Sequence, residues 1–182
     1  MTRTDFLKCC AAAGCSCGAL TVISPSGALA ASGDSEIDAL QWKLDFTHRK
    51  FARLVEVLNQ NLDGPSRKKV WEALGREHGK DYRELTDKYK GDLSGFLAEI
   101  KKHWVEKADY DAAAGTIRIV DKSTTCTCPL VDRKLTPPEF CDCTLGWQKE
   151  VYSAVVGRPV DAVVEESLLR GGTRCVFRMQ IR

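Results

Sequence analysis

The stretch Ala108-Asp-Tyr-Asp-Ala-Ala-Ala-Gly-Thr-Ile-Arg-Ile-Val-Asp121 decides the fold class of this chain. Its two halves, residues 108–112 and 116–121, alternate in side-chain character as strands do, and residues 113–115 between them are typical of a hairpin turn. Before about Val105, the apolar residues instead recur with the helical period of 3.6 residues. This change of period predicts a helical first half and a sheet-forming second half.

Three helices are predicted ahead of the hairpin. Pro65 suits the first turn of the second helix, where its missing N–H costs no hydrogen bond. Gly75 and Gly79 are candidate breaks within that helix. The three helices cover about Glu36–Leu62, Pro65–Tyr89 and Leu93–Trp104.

The second half continues with a cysteine-rich loop and a further helix. The loop runs from Ser123 to Pro138, and the helix from Phe140 to Val156. Two strands, Pro159–Leu169 and Thr173–Ile181, are predicted to flank a tight turn. The chain is therefore expected to be an α+β protein, with N-terminal helices packed on a small, mainly antiparallel sheet and a β-β-α-β-β C-terminal half.

The first 30 residues have the parts of an export signal. Met1–Lys8 is the charged start, a weakly apolar run follows from Cys9 to about Ile23, and Ala28-Leu29-Ala30 is an A-x-A cleavage site. The apolar run is too short to cross a bilayer as a helix, and no later stretch reaches 18 apolar residues. We expect a periplasmic or extracellular protein without an integral membrane segment once the signal is removed.

The export route stays open. Thr2-Arg-Thr-Asp-Phe-Leu-Lys8 resembles the twin-arginine motif, S/T-R-R-x-F-L-K, but Thr4 stands where the second arginine belongs. Twin-arginine export and ordinary secretion therefore both remain alternatives. Ala12-Ala-Gly-Cys15 faintly resembles a lipoprotein cleavage box, so lipidation is open as well.

Signal removal would leave one α+β domain, residues 31–182, with a helical part at 36–104 and a cysteine-rich part at 105–182. The signal holds two of the 27 basic and one of the 25 acidic side chains, so the mature net charge is +1. Nucleic-acid binding needs a clustered basic surface, and this balance argues against nucleic acid as the main partner. The sequence leaves the oligomeric state undetermined.

The cysteines carry the most specific pattern. Cys126-Thr-Cys128 and Cys141-Asp-Cys143 form two C-x-C pairs, and Cys175 stands alone on the last strand. Four thiolates could hold zinc in a closed tetrahedral site, with Cys175 as a further candidate metal ligand. Disulfides between the two pairs are the alternative that export favours, and free or redox-active thiols are a third. The other four of the nine cysteines belong to the signal: Cys9, Cys10, Cys15 and Cys17.

Few other residues suggest chemistry. His103 closes a predicted helix close to the sheet, from which it could reach a metal, whereas His48 and His78 look like exposed helix positions. Glu165 and Glu166 are neighbours on a predicted strand, so one of them faces inward and is a candidate catalytic carboxylate. No Ser-His-Asp set, P-loop or G-x-G-x-x-G motif is present.

Four motifs carry a resemblance over about residues 100–182. They are similar to an uncharacterised bacterial family close to the L-2-amino-thiazoline-4-carboxylate hydrolase-like proteins, and more distantly to the 4-vinyl-reductase-type small-molecule-binding domain. The motifs are Cys126-Thr-Cys-Pro-Leu-Val131, Phe140-Cys-Asp-Cys-Thr-Leu-Gly-Trp147, Gly157-Arg-Pro-Val160 and Glu166-Ser-Leu-Leu-Arg-Gly-Gly-Thr-Arg-Cys-Val-Phe177.

This resemblance implies a ligand pocket between sheet and helices. It also implies zinc held by cysteines before the penultimate helix and around the last hairpin, where Cys141 and Cys175 fall. Ser167 replaces a further cysteine of that pattern, which puts the zinc site in doubt unless another cysteine substitutes. We expect an exported domain that binds a small organic ligand and has a metal or disulfide site at its cysteines. The alternative is a hydrolase or thiol-dependent enzyme that uses the same cysteines.

Overall fold

A computed structural model describes the backbone of residues 28–182 and the side chains of residues 35–182. Nearly all of the predicted export signal, with its four cysteines, lies outside the described residues. The chain divides into two compact units, Met1–Gln41 and Trp42–Arg182. The described part of the first unit is helical, and the second contains the sheet, the pocket and all five remaining cysteines. Within residues 28–182, no helix is long and apolar enough to cross a membrane.

The predicted α+β class is confirmed. Four strands form one antiparallel sheet in the order β1-β2-β4-β3. The helices are α1 (Ala28–Asn61), α2 (Gly64–Lys80), α3 (Arg83–Lys88), α4 (Leu93–His103) and α5 (Asp142–Val156). The strands are β1 (Val105–Asp111), β2 (Thr116–Asp121), β3 (Val160–Glu166) and β4 (Val176–Ile181), with short 3-10 turns at Pro138–Cys141 and Leu168–Arg170.

Helix α2 begins where the sequence predicts and ends later than its glycines suggest. The Asp63 carboxylate accepts a hydrogen bond of 2.7 Å from the Ser66 amide, which caps the first turn. The predicted helix of residues 65–89 is divided into two pieces, α2 and α3, but the break lies at residues 81–82, just after Gly79, and the helix continues through Gly75. The glycines are used for close packing instead, because an added Cβ at either position would collide with α5.

The main core lies between the inner face of the sheet and helices α4 and α5. Side chains from alternate strand positions point to this side, as the pleat of a sheet requires. Tyr152 of α5 is buried among them and meets Phe96 of α4 edge to face, with ring centroids 5.4 Å apart. The strands contribute Val105, Ile117, Ile119, Val160, Ala162, Phe177 and Met179.

A second, smaller apolar cluster joins α1, α2 and the first 3-10 turn. Its centre is formed by Val55, Trp71 and Phe140. Trp71 meets Phe140 edge to face at 5.2 Å, and Phe51 meets the same ring at 4.6 Å. Such edge-to-face pairs add stabilisation beyond the burial of their area. The cluster anchors the cysteine-rich loop, because Cys128 and the neighbouring Leu130 pack against it.

Candidate functional site

A pocket of about 350 Å³ lies beside the second cluster. Its walls come from the C-terminal end of α2, the start of α5 and the cysteine-rich loop, residues 122–137. Ligand pockets for small molecules typically have this volume and an apolar lining. The thiols of Cys126, Cys128, Cys141 and Cys143 all line it, together with aromatic rings.

A close crossing of α2 and α5 sets the geometry of the pocket. A Cβ added at Gly75 would lie 1.8 Å from the Cys143 carbonyl oxygen, and one at Gly146 would lie 1.9 Å from the Glu72 carbonyl oxygen. The two backbones approach this closely because neither glycine has a side chain. The approach brings Cys143 and Trp147 of α5 against the end of α2.

Aromatic rings form one wall of the pocket. His78 lies in the last turn of α2 and Tyr82 directly before α3, and Phe140 and Trp147 lie on either side of the start of α5. Tyr82 meets Trp147 edge to face, with centroids 5.2 Å apart and planes at 88°. The prediction that His78 is an exposed helix position is correct for its exposure, but the ring also lines the pocket.

The loop wall is held by hydrogen bonds from distant parts of the chain. His48 Nε2 donates to the Pro129 carbonyl at 3.0 Å, which ties the loop to α1. Arg133 donates to the Leu168 carbonyl at 3.2 Å, which ties it to the β3–β4 connection. Because regular secondary structure is absent from residues 122–137, these contacts and the second cluster position Cys126 and Cys128.

The cysteines at the start of α5 face different surroundings. Cys141 is the N-cap residue, and Cys143 lies in the first turn. Residues two apart on a helix point about 200° away from each other. Accordingly, Cys141 Sγ lies 3.3 Å from the Ser167 hydroxyl, while Cys143 packs against the second cluster.

The described donor side chains do not form a ready-made metal site. Across residues 35–182, no three thiol, imidazole or carboxylate groups are placed to hold one metal ion. The opposite directions of Cys141 and Cys143 account for part of this result. A zinc site at Cys126, Cys128, Cys141, Cys143 and Cys175 therefore stays a prediction, as do disulfides among the first four.

Burial raises the pKa of three of the pocket thiols. Desolvation raises the pKa of Cys143 to about 12, with smaller contributions from the Cys128 and Cys141 thiols. Desolvation likewise raises the pKa of Cys128, Cys141 and Cys175 above the ordinary value of 9.0. A thiol is nucleophilic as its thiolate, so these groups are neutral and weakly reactive at pH 7.

Ser167 lies at the position that the resemblance marks for a cysteine. Its side chain is 2 % exposed, and its hydroxyl lies beside Cys141. The same hydroxyl accepts a hydrogen bond of 3.1 Å from the Arg170 amide and so caps the second 3-10 turn. Ser167 thus has a local structural role here.

The remaining candidates form contacts elsewhere. His103 Nε2 lies 3.2 Å from the Glu99 carboxylate on the same helix. Glu165 accepts hydrogen bonds from Arg118 at 2.7 Å and from Arg178 at 2.9 Å on the outer face of the sheet. Glu166 accepts bonds from the Thr173 and Arg174 amides, which fixes the β3–β4 connection. None of these three side chains lines the pocket.

Sequence reasoning missed the aromatic wall and one buried acid. The spacing of four between His78 and Tyr82, and between Cys143 and Trp147, was the available signal, since such residues share a helix face. The Asp121 carboxyl at the end of β2 is largely buried, and desolvation raises its pKa to about 6. Nothing in the strand pattern distinguishes this residue from a solvated strand end.

Comparisons with known proteins add a likeness of fold. No family model and no curated protein match this chain. The structure of trafficking protein particle complex subunit 3 from Naegleria fowleri, covalently bound to palmitic acid, is similar with a TM-score of 0.50 and 14 % identity, over 78 % of this chain and 96 % of that one. The phenol-responsive sensory domain of the transcription activator PoxR, with phenol, gives a TM-score of 0.49 and 13 % identity, over 74 % of each chain. At these identities the likeness concerns the fold alone.

Proposed function

We propose that this chain is an exported domain that binds a small, uncharged, largely apolar organic molecule in the cysteine-lined pocket. The observation that carries the proposal is the uncharged, largely apolar lining of the pocket. Its walls are aromatic rings, thiols and aliphatic side chains, and within the described part of the chain no carboxylate, lysine or arginine lines it. A charged ligand group would lose its hydration there without gaining a counter-charge.

The rings specify the ligand class further. Tyr82 and Trp147 both line the pocket and meet edge to face, an arrangement that a third aromatic ring can extend. Thr127, Thr144 and the His78 imidazole are among the polar groups that can orient a hydroxyl or amide of the ligand. Neutral monocyclic and bicyclic aromatics therefore match the pocket in volume, polarity and shape.

Binding is favoured over catalysis by the state of the thiols. An enzyme that uses a cysteine nucleophile lowers its pKa with a neighbouring base or cation. Here burial raises the pKa of Cys128, Cys141 and Cys143. Among the hydrogen bonds of residues 35–182, none joins a pocket thiol to His78, and the partner of Cys141 is a serine hydroxyl.

The test is a thermal-shift titration of the purified protein with phenol and indole, with benzoate and benzylamine as charged counterparts. We expect a saturable rise in Tm with the neutral compounds only, because a ligand that binds the native state alone raises its stability. Thr144→Trp fills the pocket and should abolish the shift. Thr124→Trp makes the same change at an exposed loop position outside the lining and should retain it. A shift that survives Thr144→Trp would place binding elsewhere.

Export belongs to the proposal and is supported by the sequence of residues 1–30 alone. A bacterial host that exports the full chain should yield a mature protein cleaved after Ala30 in the cell envelope fraction or the medium. Replacement of Ala28 and Ala30 by bulky residues should block the cleavage. An intact chain confined to the cytoplasm would contradict this part of the proposal.

A further inference from the structure

Two of the pocket cysteines share one environment. Cys128 of the loop and Cys143 of α5 both pack against the cluster of Val55, Trp71 and Phe140, and both line the pocket. They come from segments separated by residues 129–142. The fold therefore brings one cysteine of each C-x-C pair against the same apolar cluster.

The other sulfur of the helical pair is directed elsewhere. Cys141 faces Ser167 and the β3–β4 connection, so it does not compete with Cys143 for the space beside the second cluster. A bond between Cys141 and Cys143 would need to join side chains about 200° apart on the helix, and would close a very small, strained ring. Each of these thiols must find its partner outside its own pair.

We propose that Cys128 and Cys143 form a disulfide that fastens the cysteine-rich loop to the start of α5. The reaction is thiol–disulfide exchange with a small disulfide oxidant such as oxidised glutathione. One protein thiolate attacks the oxidant and releases one glutathione thiol, and the second thiolate then displaces the other. The protein sulfurs lose two electrons to the oxidant, and the two protons pass to the released thiols.

This bond would add a covalent link to a loop that hydrogen bonds and the second cluster hold in place. It closes a loop of about 15 residues, for which chain entropy predicts a substantial stabilisation of the folded state. The proposal is independent of any ligand, and it leaves Cys126, Cys141 and Cys175 outside the bond.

The test uses the full chain, oxidised with glutathione disulfide, unfolded in 6 M guanidinium, alkylated and digested with trypsin. Trypsin separates residues 123–133 from residues 135–149, and each peptide carries one C-x-C pair. A variant with Cys126→Ser and Cys141→Ser leaves one cysteine on each peptide. We expect these peptides to be joined in that variant and separated by reduction, and its Tm to rise by about 5–10 °C on oxidation.

Two controls decide the assignment. The matched variant with Cys128→Ser and Cys143→Ser should lose the rise in Tm, and Cys175→Ser should keep it. If the first variant fails to fold, fragmentation of the joined wild-type peptides between the cysteines of each pair identifies the bonded sulfurs. The proposal is overturned if Cys128 and Cys143 are alkylated after oxidation, if either bonds to another cysteine, or if both are protected by retained zinc. Titration of the reduced protein with phenol tests ligand binding independently of the disulfide.

Discussion

At the scale of single residues, Asp121 makes stability depend on pH. Burial beside Tyr152 and Cys175 raises its carboxyl pKa from 3.8 to about 6. The folded state therefore binds the proton more tightly than the unfolded state, so this contribution is fully present below pH 4 and is lost as the pH rises through 6.

Asp121→Asn should consequently stabilise the protein by about 2 kcal/mol at pH 7.5 and leave its stability nearly unchanged at pH 4. Urea denaturation at the two pH values measures both quantities. Equal effects of the substitution at pH 4 and pH 7.5 would show that the carboxyl titrates normally in the folded protein.

The raised pKa of Cys143 predicts slow alkylation. A shift from 9.0 to about 12 lowers the thiolate fraction near neutral pH about a thousandfold. In the reduced protein, iodoacetamide should label Cys143 at least 100-fold more slowly than it labels free glutathione, as followed by mass spectrometry. Labelling in 6 M guanidinium is the control, because unfolding restores an ordinary thiol. A native rate close to that of glutathione would contradict the burial of this group.

At the scale of elements, the crossing of α2 and α5 is the contact that builds the pocket wall. Gly146→Ala places a methyl group against the Glu72 carbonyl, and Gly75→Ala places one against the Cys143 carbonyl. Each should lower the free energy of unfolding by about 2–3 kcal/mol, because the helices must separate to accept the methyl group. Gly64→Ala has open space around it and should change stability by less than about 0.5 kcal/mol. Urea melts of the three variants give the comparison, and equal losses in all three would refute a tight crossing.

The same crossing shows where prediction from the sequence reached its limit. Period and turn residues located the hairpin, α4 and the last strands within a few positions, because those signals are local. Gly75 was interpreted as a helix break because a glycine has the same local signature whether it ends a helix or admits a neighbour. Gly75 admits α5 only together with Gly146, which lies 71 positions later in the chain. Local sequence patterns cannot connect two residues so far apart.

At the scale of the whole molecule, only part of the site could be predicted, because local sequence patterns do not record long-range packing. The C-x-C spacing singled out Cys126, Cys128, Cys141 and Cys143, and the structure places all four around one pocket. Whether these cysteines hold a metal or form disulfides depends on the directions of their side chains, which the spacing does not record. Cys141, for example, points toward Ser167. The aromatic side of the pocket arises from the packing of α2 on α5, which is a tertiary property.

The strand order of the sheet has a consequence for biosynthesis. β4 is the last strand in chain order, yet it lies between β2 and β3 and bonds to both. A nascent chain that still lacks Val176–Ile181 has two sheet halves, the β1–β2 hairpin and β3, with nothing to join them. The core facing Phe177 and Met179 thus cannot close on the ribosome until translation has passed these residues. Until then the sheet and the core on its inner face stay incomplete.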